Sequence, residues 1–252
     1  EHDEVEETVA FNTLGTVVHE ALDDLYTPFV GKFLSVAIVE GMQKSAKDIV
    51  IKHFKLQFRN GDLTTGKNRL VFEVANRFVA NFLSKEVDLL KEDKNQLKII
   101  ATEENLAAEI KIEGIDFPIK LHGQVDRVDE LNGVLRIIDY KTGMVAATNL
   151  RVPEFEKLRD EKHLKAIQVL LYAYLFTKSK NYNFSKPLEA GIYSFKNLNS
   201  GFLAVDFAPA RKVPETSITS EKLDEFIVEI KKYISEIYAV TVDFVEPADL
   251  RY

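Results

Sequence analysis

The stretch Gly123-Gln124-Val125-Asp126-Arg127-Val128-Asp129-Glu130-Leu131-Asn132-Gly133-Val134-Leu135-Arg136-Ile137-Ile138-Asp139-Tyr140-Lys141-Thr142-Gly143 decides how this chain is read. Two strand-like runs flank Asn132-Gly133, a dipeptide that suits a two-residue hairpin turn because both residues tolerate positive φ. With the turn at the tip, residues whose numbers sum to about 265 face one another, which sets Asp126 opposite Asp139. Side chains alternate along a strand, so Asp139 and Lys141 share a face while Tyr140 takes the other.

Like charges directly opposite each other destabilise a sheet. A facing pair of carboxylates therefore asks for a reason, and a shared divalent cation is an economical one. Read from the residues alone, Asp139 beside Lys141 is either a surface ion pair, worth ~0.5 kcal/mol, or a cation ligand next to an ammonium that steadies charge on a phosphate. Glu103, just after the strand-like run Leu97 to Thr102, offers a third carboxylate suited to six-coordinate Mg²⁺ or Mn²⁺, although ordinary solvated acids fit that spacing equally. His19, one helical turn after Gly15, reads as a packed or capping residue or as a further ligand.

Outward from the hairpin, the first hundred residues carry a helical period. Asn12 or Thr13 is placed to cap a helix through Leu14, Val17, Val18, Ala21, Leu22 and Leu25 that ends before Pro28. A second helix is expected over Leu34 to Phe58, closed by Asn60-Gly61, and a third over Thr65 to Lys91 with Leu70, Val74, Phe78 and Phe82 four residues apart. Short runs then follow at Leu97 to Thr102, Ala107 to Glu113 and Ile115 to Asp126, with Gly114-Ile115-Asp116 as a tight connection. Helix is expected again over Lys162 to Thr177 and Ser220 to Ala239, with a strand pair at Leu188 to Phe195 and Phe202 to Phe207 between them. That order specifies an α/β or α+β fold.

Composition narrows the function. The chain has 252 residues and no cysteine, which excludes disulfides, zinc–cysteine sites and iron–sulfur clusters within it. No apolar run is long enough to span a membrane, and Glu1 to Glu7 is acidic where a signal peptide is basic. A reducing cytoplasmic setting fits, and the absence of a starting Met fits a piece of a longer polypeptide. The net charge of −7 argues against tight, sequence-independent coating of nucleic acid. Much of it sits in Glu1, Asp3, Glu4, Glu6 and Glu7. A basic stretch, Arg151, Lys157, Arg159, Lys162, His163 and Lys165, reads either as a phosphate-holding face or as an ion-paired surface, since acids interleave with it.

Taken in order, Gly15-x3-His19, Glu103, the run Gly123 to Asp129, Asp139-Tyr140-Lys141-Thr142-Gly143 and Gln168-x3-Tyr172 resemble the PD-(D/E)XK nuclease superfamily. The likeness is to the RecB-like nuclease domain at the C-terminus of helicase–nuclease proteins, over roughly residues 14–195. Its most specific parts are the GxxDRxD and DYKTG elements, with aspartates thirteen residues apart.

The resemblance implies an α/β, restriction-endonuclease-like core: a small mixed central sheet flanked by helices, with an N-terminal helical region. Residues 96–252 would form that core and residues 1–95 the helical region supplying Gly15-x3-His19, packed as one compact domain. It also implies an Mg²⁺- or Mn²⁺-dependent deoxyribonuclease. Asp126, Asp139, Glu103 and His19 would hold metal, with Glu104 as an alternative register for Glu103. Lys141 would be the catalytic lysine, and Gln168, Tyr172 and Arg127 would contact DNA. The expected setting is an exonuclease of DNA repair or recombination working with a helicase domain or subunit. Some RecB-like members carry an iron–sulfur cluster on C-terminal cysteines, which this chain lacks. A nuclease fold kept only as a DNA-binding scaffold would be marked by a lost acid or lysine, and none is lost here.

Overall fold

The computed structural model describes residues 11–57, 65–92 and 94–239. Three helices come first: α1 (Phe11–Tyr26), α2 (Val36–Gln57) and α3 (Gly66–Lys91). Three strands follow, β1 (Leu97–Ile110), β2 (Ile119–Leu131) and β3 (Val134–Lys141). The chain then passes through α4 (Leu164–Ser179), β4 (Leu188–Ser194), the two-residue β5 (Leu203–Ala204) and α5 (Ser220–Tyr238).

The five strands form one mixed sheet in the order β1-β2-β3-β4-β5. β3 and β4 are parallel and the other neighbours antiparallel, with α4 in the β3–β4 crossover. This is the expected α/β arrangement, consistent with a restriction-endonuclease-like fold, with helices on both faces. One face packs Val128, Ile137 and Ile192 against Leu170 of α4 and Phe226 of α5. The other packs Ile99, Ile138 and Tyr140 against Val18 and Leu22 of α1, Val50 of α2 and Phe82 of α3. Each large apolar side chain so buried contributes ~1.5–3 kcal/mol of transfer free energy.

The β2–β3 turn has the expected chemistry. Asn132 and Gly133 both adopt positive φ, 53° and 85°, as a type I′ turn requires, and the pairs from Leu131↔Val134 to Arg127↔Ile138 keep the expected register. All six apolar positions of α1 expected on one face are buried.

Four expectations need correction. β1 is one strand rather than two, because its ladder with β2 keeps one register on either side of Glu103, from Thr102 to Glu104 and Asn105, polar residues that an edge strand tolerates. α1 is already helical at Phe11, so Asn12 and Thr13 lie inside it rather than cap it. In α3 the buried stripe is Phe72, Ala75, Val79, Phe82, Leu83 and Val87, while Leu70 is exposed. The Phe202 to Phe207 run pairs with β4 only briefly, since Asp206 turns to bond the backbone of Leu150 and Val152. The Asn60-Gly61 turn lies outside the described residues.

Candidate active site

The ladder between β2 and β3 stops one step short of the facing aspartates. Its last pair is Arg127↔Ile138. Beyond it Asp126 turns its carboxylate back to the other strand, where Oδ2 accepts the Tyr140 N–H at 2.5 Å. On the other flank, the pairs Thr102↔Arg127 and Glu104↔Val125 leave Glu103 level with Asp126. Glu103 holds φ at 45°, the left-handed region that a glutamate seldom adopts. Strain of this kind persists only where the surroundings impose it. Adjacent strands thus bring Glu103, Asp126 and Asp139 to neighbouring levels of the sheet.

Helix α1 brings the fourth group. His19 Nδ1 lies 3.2 Å from Asp126 Oδ1, and its ring meets the Tyr140 ring edge-on at 5.9 Å. One donor atom each from His19, Glu103 and Asp126 lies within 4.8 Å of the other two, close enough to converge on one ion. Asp139 is not part of that trio. It is 2% exposed and ion-paired with Lys141, whose Nζ lies 2.9 and 2.8 Å from its two oxygens.

The electrostatics record the crowding. Burial first, and then the Asp126 charge, push Asp139 up to about 6, against the pull of Lys141 and His19. Burial and Asp126 likewise push Glu103 up to about 7. Burial disfavours the charged form of His19, but its hydrogen bond to Asp126 and the charges of Asp126, Asp139 and Glu103 win, so its pKa is raised. Three carboxylates therefore share one lysine and one histidine. The donor set of hard carboxylate oxygens with one imidazole is of the kind that suits Mg²⁺ or Mn²⁺.

Gln168 and Tyr172 of α4 come to the same place. Gln168 Nε2 donates to the Tyr172 hydroxyl at 2.8 Å, and the Tyr172 phenol is raised by burial and by the nearby Asp139 and Asp126 charges. Tyr172 lies so close over Gly123 that a Cβ there would sit 2.7 Å from its Cε1. The glycine of the GxxDRxD element is thus a packing requirement. In front of His19 and Glu103 opens a cleft of about 780 Å³ whose wall includes Glu20, Asp23 and Asp24.

Other expected residues lie elsewhere. Arg127 does not reach the cleft: it is fully buried toward α1 and α3, ion-paired with Glu86 at 2.6 Å and Asp129 at 2.5 Å, and stacked over the Tyr26 ring at 4.7 Å. Its place on β2 turns it to the helical layer, so it has no donor free for DNA. Glu104 pairs with Lys180 at 2.5 Å, which leaves Glu103 as the acid of the cluster. In the basic stretch Arg151, Lys157, Arg159 and Lys162 pair with Asp206, Glu154, Glu236 and Asp160, as an ion-paired surface would.

Sequence reasoning missed two groups. Tyr140, set aside as the residue pointing away, touches both Asp126 and His19. His53 of α2 sits in the same cleft with Nδ1 3.0 Å from Glu20 Oε2 and Nε2 2.7 Å from Asp24 Oδ2. The available signal was the pair Glu20 and Asp24, one turn apart on α1 beside His19.

The family model of the PD-(D/E)XK nuclease superfamily matches residues 2–246. No curated protein matches the chain significantly.

Proposed function

This chain belongs to the PD-(D/E)XK nuclease superfamily, and on that premise we propose that it is an Mg²⁺- or Mn²⁺-dependent deoxyribonuclease acting at the cluster of Asp126, Asp139, Glu103, His19 and Lys141. The observation that carries this reading is the convergence of donor atoms from His19, Glu103 and Asp126 within 4.8 Å, beside a buried Asp139 and under a surplus of negative charge. His19, Glu103, Asp126 and Asp139 are the residues that would hold the cation. When bound, it would supply Lewis-acid charge to a phosphate oxygen and a more acidic water.

The chain's own groups divide the remaining work. Asp139 and Glu103, whose pKa values burial and the Asp126 charge raise, are the acids whose ionised form a bound cation would favour, so their part is to hold it. Lys141 carries an ammonium donor to where charge develops on the phosphate. Gln168 and Tyr172, linked to each other, face the substrate strand. Water adds to phosphorus as the P–O3′ bond breaks, which leaves a 5′-phosphate and a 3′-hydroxyl. The near-neutral charge outside the first seven residues suits a domain handed its DNA by another, and the RecB-like pattern extends this to an exonuclease of DNA repair fed by a helicase.

The experiment is cleavage of labelled linear and circular DNA in Mn²⁺, Mg²⁺ or EDTA by the native chain and by Lys141→Ala. Cleavage of linear DNA that needs the metal and falls about 10²–10³-fold in the variant is expected. Cleavage in EDTA, or unchanged cleavage in the variant, would overturn the proposal.

A further inference from the structure

Tyr140 stands where the two strands part. Its N–H donates to Asp126 Oδ2 at 2.5 Å, its ring meets His19, and in the chain it separates Asp139 from Lys141. Its hydroxyl accepts from Arg127 Nη1 at 3.4 Å. Backbone pairing ends at Arg127↔Ile138, so no ladder bond holds Asp126 level with Tyr140. What links the strands past that point is the Asp126–Tyr140 bond and, on the buried face, the Arg127–Tyr140 bond.

Arg127 is itself anchored from three directions. Glu86 of α3 lies 2.6 Å from Nη2, Asp129 accepts from Nε at 2.8 Å, and the Tyr26 ring of α1 lies under the guanidinium. The Tyr26 hydroxyl donates to Glu86 and so closes the ring of contacts between α1 and α3. His19 stands on that same α1, two turns before Tyr26.

We propose that Arg127 and Tyr140 are positioning residues for the acid cluster. Anchored on Glu86, the guanidinium holds the Tyr140 hydroxyl and thereby fixes the piece of β3 that binds Asp126, packs His19 and carries Asp139 and Lys141. The inference rests on reading the cluster as a divalent-cation site. It gives the arginine of the GxxDRxD element a role behind the site instead of on the substrate. A residue that orients metal ligands from behind shapes affinity for the ion, whereas one that only fills the core shapes stability alone.

The test uses the intact chain and Mn²⁺ alone, with free Mn²⁺ read by its paramagnetic resonance signal and unfolding followed separately in EDTA. Tyr140→Phe keeps the ring contacts with His19, Phe82 and Phe195 and loses only the hydroxyl. Its Mn²⁺ affinity is expected to fall about tenfold, with little change in the EDTA melting temperature. Arg127→Lys, which keeps the charge but not the fork that reaches Glu86, Asp129 and Tyr140 together, is expected to weaken Mn²⁺ in the same direction. Unchanged Mn²⁺ affinity in Tyr140→Phe would overturn the positioning role while leaving the cation site standing. Native protein whose Mn²⁺ binding is indifferent to Asp126→Ala would overturn the cation site, and the positioning role with it.

Discussion

Two clusters of charge share the β2–β3 hairpin, and they are built to opposite rules. Behind the hairpin, Arg127 and Arg136 meet Glu86 and Asp129, two cations for two anions. Asp129 takes hydrogen bonds from Arg127 Nε at 2.8 Å and Arg136 Nε at 2.7 Å. Burial works against its ionisation, yet the two arginines hold its pKa below the usual carboxylate range. At the other cluster, Glu103, Asp126 and Asp139 share Lys141 and His19, and two of the acids are pushed up. Asp129 is 0% exposed and Asp139 2%, so burial is matched and only the neighbours differ. A balanced buried cluster is a piece of architecture. One left short of positive charge suits the cation we propose for it.

The comparison can be broken from either side. The largest effect is expected at the balanced cluster: Asp129→Ala leaves Arg127 and Arg136 without their shared anion and should cost about 3–5 kcal/mol of stability. Chemical denaturation measures it, and a loss below about 1 kcal/mol would mean the network is not what holds the hairpin. At the cluster short of positive charge the sign on stability reverses. Asp139→Asn relieves repulsion with Asp126, so the EDTA melting temperature should hold or rise while metal-dependent cleavage is lost. A variant that both melts early and cleaves normally would contradict this assignment.

A subtler effect lies in the pH dependence. Asp139 and Glu103 ionise in the folded chain at about 6 and about 7, above their ordinary values of 3.8 and 4.5. The folded chain therefore keeps protons that the unfolded chain has released, so its stability falls as pH climbs from about 4 to about 7. His19 adds in the same direction, since a raised histidine stabilises below its unfolded value of 6.5 and loses that contribution as pH passes its folded value. Asp129 is lowered and has finished titrating below this window. Melting in EDTA should therefore drop between pH 5 and pH 8, and Mn²⁺ should flatten the drop; a rising or flat curve in EDTA would count against the surplus of charge. The smallest effect is at Glu103. Glu103→Gly removes the penalty of its left-handed backbone, and a gain of about 1 kcal/mol in EDTA with loss of cleavage is expected.

What was legible in the sequence was local or periodic. Asn132-Gly133 announces its turn because few dipeptides accept two positive φ values, and the turn alone fixes the register that brings Asp126 and Asp139 to the same end. The apolar stripe of α1 is equally plain. The break expected at Glu103-Glu104 was wrong because pairing with β2, a long-range property, carries the strand through acids. Arg127 was misplaced for a related reason. Its burial depends on Glu86 and Tyr26, 41 and 101 residues away in the chain, and no spacing reports them. Tyr140 escaped notice because alternation is a rule about side chains, and its tie to Asp126 runs through the backbone N–H.

The central claim is that the surplus of carboxylates at the end of the hairpin is a binding site for a divalent cation. Its most direct test is anomalous diffraction from crystals grown or soaked with Mn²⁺. A peak ligated by Asp126 and Asp139, with His19 and Glu103 completing the shell, is the predicted result. Density that places the ion elsewhere, or no peak at an Mn²⁺ concentration that supports cleavage, would contradict it.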